Sequence, residues 1–287
     1  MDLWDRLSEL QFFTTALQNY ATPEQLFYHL HSGYYAYVPK TENAKGQALQ
    51  ARNSLIGQFT EKWTKDIFTP IARSLGFYAI NGVECEKIGL SRRSEADLAF
   101  CTTNSKKQVP ENVKLIFEIK MSVISNYKYE SGKIKFIGDY KTHKGNPSLL
   151  RSDSMLKAIG KSINIRVSGI SSSNIPIIVI GNSPITENYS HKVDFLKNSG
   201  AVQSFWSLNP RPTSISFIEK TSGNGFLTIK NLSLLKQQTK EVLEDKLNYF
   251  SSMIPKKKLG EFINISSKES YDEQKAEKFL NLIRGLV

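Results

Sequence analysis

Four short apolar runs behind a long amphipathic segment limit the folds that this chain can adopt. Between residues 52 and 75, apolar side chains recur every three or four positions, which predicts one long helix. The runs that follow are bounded by turn signals and are typical of buried strands: FYAINGVEC, ADLAFC, KLIFEIKMS and IPIIVIG. This pattern predicts a β-sheet with helices packed against it.

A second helix is predicted between the third and fourth runs, from Ser152 to about Arg166, with Ser152 or Asp153 as its N-cap. Its apolar residues form one stripe: Met155, Leu156, Ile159 and Ile163. Lys157 and Lys161 then fall on other faces. The order helix, strand, strand, strand, helix, strand predicts an α/β protein whose mixed β-sheet is flanked by helices.

The segments at both ends extend this core. Residues 1–49 are interpreted as a helical lead-in and a surface loop, and residues 50–210 contain the core. In residues 211–287, the runs SISFIEK and GFLTIK resemble a hairpin. Helices are predicted over residues 232–250 and 272–286, so the C-terminal addition is mixed.

Charge and cysteine content restrict the partners and the compartment. Lys and Arg outnumber Asp and Glu by 38 to 27, a formal net charge of +11, which favours a polyanionic partner such as nucleic acid. The two cysteines, Cys85 and Cys101, cannot build a disulfide framework or a four-thiolate zinc site. No apolar run reaches the ~20 residues of a membrane span. We therefore expect a cytoplasmic protein with no membrane partner.

Three charged residues stand within the apolar runs. Because side chains alternate along a strand, Glu118 and Lys120 share a face, and hairpin-like pairing of the second and third runs would bring Asp97 beside Glu118. Two carboxylates that close repel each other unless a cation lies between them, and Mg²⁺ prefers such oxygen ligands. Lys120 could then orient or deprotonate a water, or stabilise charge on a phosphorane-like transition state.

A purely structural interpretation of the same residues stays open. Glu118 and Lys120 would form a salt bridge on a half-exposed strand. In the long helix, Glu61 would pair with Lys65 at the i,i+4 spacing on a solvated face.

The long helix is followed by an acid, then by a spacer of some twenty residues and by Glu-x-Lys on a strand. This order of residues resembles the motif of the PD-(D/E)xK nuclease superfamily. In this match Asp97 takes the place of the first acid, Glu118 the second and Lys120 the lysine. Ala96 stands where the motif usually has proline. The family's first core helix often carries a glutamate near the metal, a position that Glu61 matches. The resemblance covers roughly residues 50–181 and implies a restriction-endonuclease-like core, with Mg²⁺ as cofactor held by Asp97 and Glu118.

The resemblance further implies a type II restriction endonuclease, a Mg²⁺-dependent endodeoxyribonuclease that cuts double-stranded DNA at a short specific site in the prokaryotic cytoplasm. It implies a homodimer, because two-fold protein symmetry matches a palindromic site. The C-terminal residues 211–287 are candidates for DNA recognition or dimerisation. Two alternatives remain: a DNA repair or junction-resolving nuclease of the same fold, and a non-catalytic DNA-binding protein.

A basic segment after the motif is the predicted DNA-contacting surface. Residues 128–166 contain nine Lys and Arg against three acids, with aromatic residues between them. The residues expected to contact phosphates are Lys133, Lys135, Lys141 and Lys144. Those expected to contact base edges are His143, Asn146 and Arg151.

Overall fold

Two β-sheets organise the chain in the computed structural model, which describes residues 2–45, 48–245 and 254–285. The strands are β1 (Tyr28–Leu30), β2 (Gly33–Tyr35), β3 (Tyr78–Val83), β4 (Ala96–Cys101), β5 (Val113–Ile119), β6 (Asn126–Glu130), β7 (Lys133–Gly138), β8 (Ile177–Gly181), β9 (Ser204–Ser207) and β10 (Phe226–Thr228). The helices are α1 (Arg6–Asn19), α2 (Pro23–Leu26), α3 (Gln50–Ser74), α4 (Ser152–Val167), α5 (Ser190–Asn198), α6 (Leu232–Glu244), α7 (Lys256–Ser266) and α8 (Asp272–Arg284).

The larger sheet has the spatial order β10-β9-β8-β5-β4-β3. Strands β3, β4 and β5 pair antiparallel, whereas β5, β8, β9 and β10 run parallel to one another. All five residues of β8 are buried, as expected for a parallel strand covered on both faces. The predicted α/β class, with a mixed sheet flanked by helices, is confirmed.

Helices α3 and α4 cover opposite faces of this sheet. The Phe117 ring of β5 lies 4.4 Å from the Phe68 ring of α3. Ile116, which points to the other face of β5, belongs to the same buried cluster as Ile165 of α4. Glu118 alternates with Phe117 and therefore points, like Ile116, towards α4.

The second sheet was not predicted from the sequence. Its order is β1-β2-β6-β7, all antiparallel, so it joins residues 28–35 to the hairpin of residues 126–138. This hairpin is inserted between β5 and α4, and β2 lies in a segment that was expected to be a loop. The sheet also crosses the domain boundary expected at residue 49. Strands of three residues are too short to show an alternating pattern, and their partners are distant in sequence.

A buried carboxylate ties α1 to the chain that leaves the core sheet. Glu9 is 1% exposed and accepts hydrogen bonds from the Ile124 amide at 2.6 Å, the Ser125 amide at 3.2 Å and the Tyr127 hydroxyl at 2.8 Å. Burial raises the pKa of the Glu9 carboxyl despite these donors. The N-terminal helix is thus fixed to the segment directly after Lys120.

Strand β3 follows the first predicted run through Asn81 and Gly82, with Gly82 at φ +66°. Other local predictions differ from the structure. The N-cap of α4 is Arg151, because the helix already begins at Ser152. The hairpin expected for SISFIEK and GFLTIK is reduced to one antiparallel bridge between Lys220 and Leu227, and β10, in the second run, pairs parallel with β9.

The C-terminal helices match the sequence pattern in part. Helix α6 follows Asn231, whose side chain accepts a hydrogen bond from the amide of Leu234. Residues 246–250 of the predicted helix, and residue 286 of the last one, lie outside the described residues. Helix α7 was not predicted. None of the helices in the described ranges combines the length and hydropathy that a bilayer crossing needs.

Candidate active site

The pairing of β4 with β5 fixes the two strand carboxylates next to each other. Leu98 pairs with Phe117, so Asp97, one residue earlier, lies beside Glu118, one residue later. The Asp97 Oδ2 atom accepts a hydrogen bond of 2.6 Å from the backbone amide of Ile119. Asp97 is therefore held at the edge of the strand pair by both its backbone and its side chain.

The lysine of the Glu-x-Lys motif closes on both carboxylates. Lys120 Nζ lies 2.5 Å from Glu118 Oε1 and 3.7 Å from Asp97 Oδ2. The Lys120 amide donates to the carbonyl of Ile180 in β8 at 2.7 Å, which keeps the chain beside the sheet after β5 ends. The structure thus brings Asp97, Glu118 and Lys120 together at one sheet edge.

A second lysine, Lys161 of α4, completes the cluster and was missed from the sequence. Its Nζ lies 2.6 Å from Glu118 Oε2 and 3.1 Å from Asp97 Oδ1. The expectation that Lys161 faces away from the core was wrong because α4 is rotated relative to the assumed stripe. Ala158 and Ile165 are buried whereas Leu156 is 62% exposed, and Lys161 lies three residues from the first and four from the second.

Opposite charges balance within this cluster of Asp97, Glu118, Lys120 and Lys161. Burial raises the pKa of Glu118, which is 4% exposed, and the neighbouring Asp97 charge raises it further. Burial alone would lower the pKa of Lys161, but the charges of Asp97 and Glu118 outweigh it and hold that pKa above its ordinary value. Each ammonium therefore stabilises the ionised carboxylates that burial disfavours.

Glu61 approaches the cluster from the middle of α3. The Asn81 side-chain amide donates to the Glu61 carbonyl at 3.1 Å and to the Asp97 carbonyl at 2.9 Å, which ties α3 to β4. Burial, followed by the charge of Asp97, raises the pKa of Glu61 to about 6. No ion pair joins Glu61 to Lys65 among the described residues, so its main electrostatic neighbours are in the cluster and not on the helix surface.

Glu61→Gln is expected to stabilise the metal-free protein at pH 8 and to leave its stability unchanged near pH 4. The folded-state pKa of about 6 exceeds the ordinary value of 4.5, so the ionised carboxylate lowers the stability of the fold once the pH rises through this window. For a half-buried side chain, we expect a gain of about 1 kcal/mol. Chemical denaturation at both pH values measures it, with the exposed Asp66→Asn on the same helix as the control. An equal effect at both pH values would contradict the assignment.

The oxygen atoms of the cluster suit a hard divalent cation. Asp97 Oδ1 and Glu118 Oε2 converge on one cationic atom, the Lys161 Nζ, as carboxylates converge on a metal ion. Glu61 does not complete a three-ligand set, since no group of three His, Cys, Asp or Glu in the described ranges is arranged to hold a metal. Mg²⁺ commonly takes one or two carboxylates with water and phosphate oxygens, so the donor set fits. Its binding requires that the Lys161 ammonium move aside.

The residues predicted to contact DNA are mostly on the surface. Lys133 and Lys135 lie on β7, an edge strand, and Lys135 Nζ is 3.3 Å from Glu130. The others that are exposed lie in the turns before α4: Lys141, Lys144, Asn146 and Arg151. Lys144 Nζ donates to the Glu42 carbonyl, and Arg151 lies 3.5 Å from Asp153. These side chains are accessible to a polyanion.

His143 is an exception, and the structure does not support its expected base contact. It is 2% exposed, its ring stacks on Tyr37 with centroids 4.0 Å apart, and its Nδ1 accepts from the Gly145 amide at 3.1 Å. The Nε2 atom then carries the proton and donates to the Ile124 carbonyl at 2.9 Å. Burial lowers the pKa of His143 to about 4, so the ring is neutral at pH 7 and holds the loop together.

Comparisons with models of known protein families, with curated proteins and with solved structures found no match for this chain. The function must therefore be inferred from the side chains themselves. The feature that most restricts the possible functions is the cluster of two carboxylates and two lysines at the edge of the mixed sheet, with Glu61 beside it.

Proposed function

We propose that this protein is a Mg²⁺-dependent endodeoxyribonuclease with a restriction-endonuclease-like core, most specifically a type II restriction endonuclease. The observation that supports it is the meeting of Asp97, Glu118 and Lys120 at one sheet edge, with Lys120 Nζ 2.5 Å from Glu118. The elements α3, β3, β4, β5, α4 and β8 follow in the order expected for such a core. A formal net charge of +11 and the exposed lysines of β7 favour DNA as the substrate.

Hydrolysis of a phosphodiester replaces one ester oxygen by the oxygen of a water, and the negative charge on the phosphoryl group must be stabilised meanwhile. Asp97 and Glu118 would hold Mg²⁺, which when bound supplies Lewis acidity and lowers the pKa of a coordinated water. Lys120, fixed beside Glu118, would orient the attacking water and donate to a phosphoryl oxygen. Glu61, whose pKa is raised to about 6 in part by the charge of Asp97, would accept a proton from that water.

The proposal includes two features of the assembly. A type II enzyme that cuts both strands of a short symmetric site would act as a homodimer, because each protomer contributes one cluster to one strand. Residues 211–287, which add β10 and the helices α6 to α8, would serve DNA recognition or dimerisation. Nuclease chemistry in this cluster does not depend on either feature.

Digestion of a long DNA of known sequence tests this function. With Mg²⁺ the proposed enzyme produces discrete fragments whose ends share a short sequence, and with EDTA it produces none. A smear in Mg²⁺ would contradict site-specific cleavage and would indicate a non-specific or structure-selective nuclease of the same fold. If the DNA stays intact with Mg²⁺ and with Mn²⁺, under conditions in which the protein binds DNA, the result would indicate a non-catalytic DNA-binding protein.

A further inference from the structure

A cavity of about 380 Å³ opens beside the carboxylates. Glu61, Asp97 and Lys161 line it on the side of the cluster, and Arg92 and Arg93 line it from the turn that precedes β4. Neither Glu118 nor Lys120 reaches the cavity wall. The cavity is therefore a space next to the candidate active site, and its wall also includes two arginines that are not part of the cluster.

The two arginines are placed by the backbone and are not used in the fold. The Ser94 amide donates to the Ser91 carbonyl at 2.9 Å, which closes the turn that carries Arg92 and Arg93. Both are exposed, and neither guanidinium has an ion pair or side-chain hydrogen bond within the described part of the chain. Lys120 and Lys161, in contrast, are each paired with Asp97 and Glu118. The guanidinium groups of two consecutive residues, Arg92 and Arg93, thus remain available to an anion.

The acid on the same wall, Glu95, lies against Gly82. A Cβ added to Gly82 would lie 2.5 Å from Glu95 Oε2. Gly82 is at φ +66°, which glycine adopts without strain. Within the described residues, no ion pair joins the Glu95 carboxylate to Arg92 or Arg93.

We propose that Arg92 and Arg93 bind a backbone phosphate of DNA in this cavity, next to the catalytic carboxylates. A guanidinium presents parallel N–H donors that match two phosphate oxygens, and it stays charged at any physiological pH. This proposal rests on the proposed function for its ligand. Because Asp97 lines the same cavity, the bound phosphate belongs to the strand that is cut, at or beside the scissile bond. Such a contact positions the strand and carries no sequence information.

The double variant Arg92→Ala/Arg93→Ala tests the site through DNA binding in EDTA, where no cleavage occurs. Fluorescence anisotropy with a short labelled duplex is measured over a range of salt concentrations. The affinity is expected to fall on the order of tenfold, and the slope of log affinity against log salt to decrease by about 0.9, because one phosphate is no longer neutralised. The matched control, Arg73→Ala/Lys114→Ala, removes the same charge from the opposite edge of the sheet, where α3 ends and β5 begins.

Equal affinity and equal salt slope in the parent and the arginine variant would overturn the phosphate site, as would an equal loss in the control. These results are independent of catalysis. If the parent cuts DNA but the arginine variant binds DNA normally, the nuclease assignment is supported and the phosphate site is contradicted. If the arginine variant binds DNA more weakly but the parent never cuts, the phosphate site is supported and the nuclease assignment is contradicted.

Discussion

Asp97→Asn is expected to lower the rate of Mg²⁺-dependent DNA cleavage on the order of a thousandfold or more, while DNA binding in EDTA is kept. The asparagine keeps an oxygen that can accept the hydrogen bond from the Ile119 amide, so the strand edge is preserved. What it removes is one of the two negative charges that converge on the cation position with Glu118. Single-turnover rates measured with saturating protein separate this loss from a change in affinity.

Glu111→Gln is the matched control for this variant. Glu111 is exposed and lies just before β5, at the opposite end of the strand from Glu118, and the substitution makes the same change of charge. We expect a rate within a few-fold of the parent. Cleavage by Asp97→Asn at the parent's rate would show that Asp97 is not a ligand of the catalytic metal, whatever the control does.

Lys161→Met is expected to destabilise the protein in EDTA by about 3 kcal/mol and to make its stability strongly dependent on Mg²⁺ or Mn²⁺. The Lys161 ammonium lies between Asp97 and Glu118, and a side chain of similar length without charge leaves the single charge of Lys120 beside two carboxylates, one of them buried. A divalent ion can take over that position without first displacing a lysine. The free energy of unfolding, with and without metal, measures both effects.

Lys157→Met, one turn earlier on α4, is the control because Lys157 is exposed and forms a surface ion pair with Asp153, at 3.1 Å. It should change stability by less than about 0.5 kcal/mol and leave the response to metal as in the parent. If Lys161→Met gained no more stability from metal than the parent does, Lys161 and the metal would not compete for one position.

The sequence predicts the positions of the charged residues correctly where these depend on neighbouring segments of the chain. Alternation along a strand is enough to place Glu118 and Lys120 on one face, and an antiparallel neighbour eleven residues away brings Asp97 beside them. The mixed sheet and its flanking helices followed from the order of long and short apolar segments in the same way.

The rest depended on contacts between distant segments. Lys161 could not be assigned because four apolar residues suggested one buried face of α4, and only the packing of Ala158 and Ile165 on the sheet shows another. The sheet of β1, β2, β6 and β7 depends on the pairing of β2 with β6, which are about ninety residues apart in sequence. His143 lies in a basic segment, and its burial against Tyr37 has no signature in composition.

The nuclease assignment is tested most directly by adding Mg²⁺ to a complex of the protein with end-labelled DNA, formed in EDTA, and following the cleaved strand with time. We expect product after Mg²⁺ is added to the parent and none within the same time from Asp97→Asn purified in the same way. No product from the parent with Mg²⁺ or Mn²⁺, on DNA that contains many different sequences, would contradict the nuclease assignment. Equal product from the parent and Asp97→Asn would contradict the assignment of the active site.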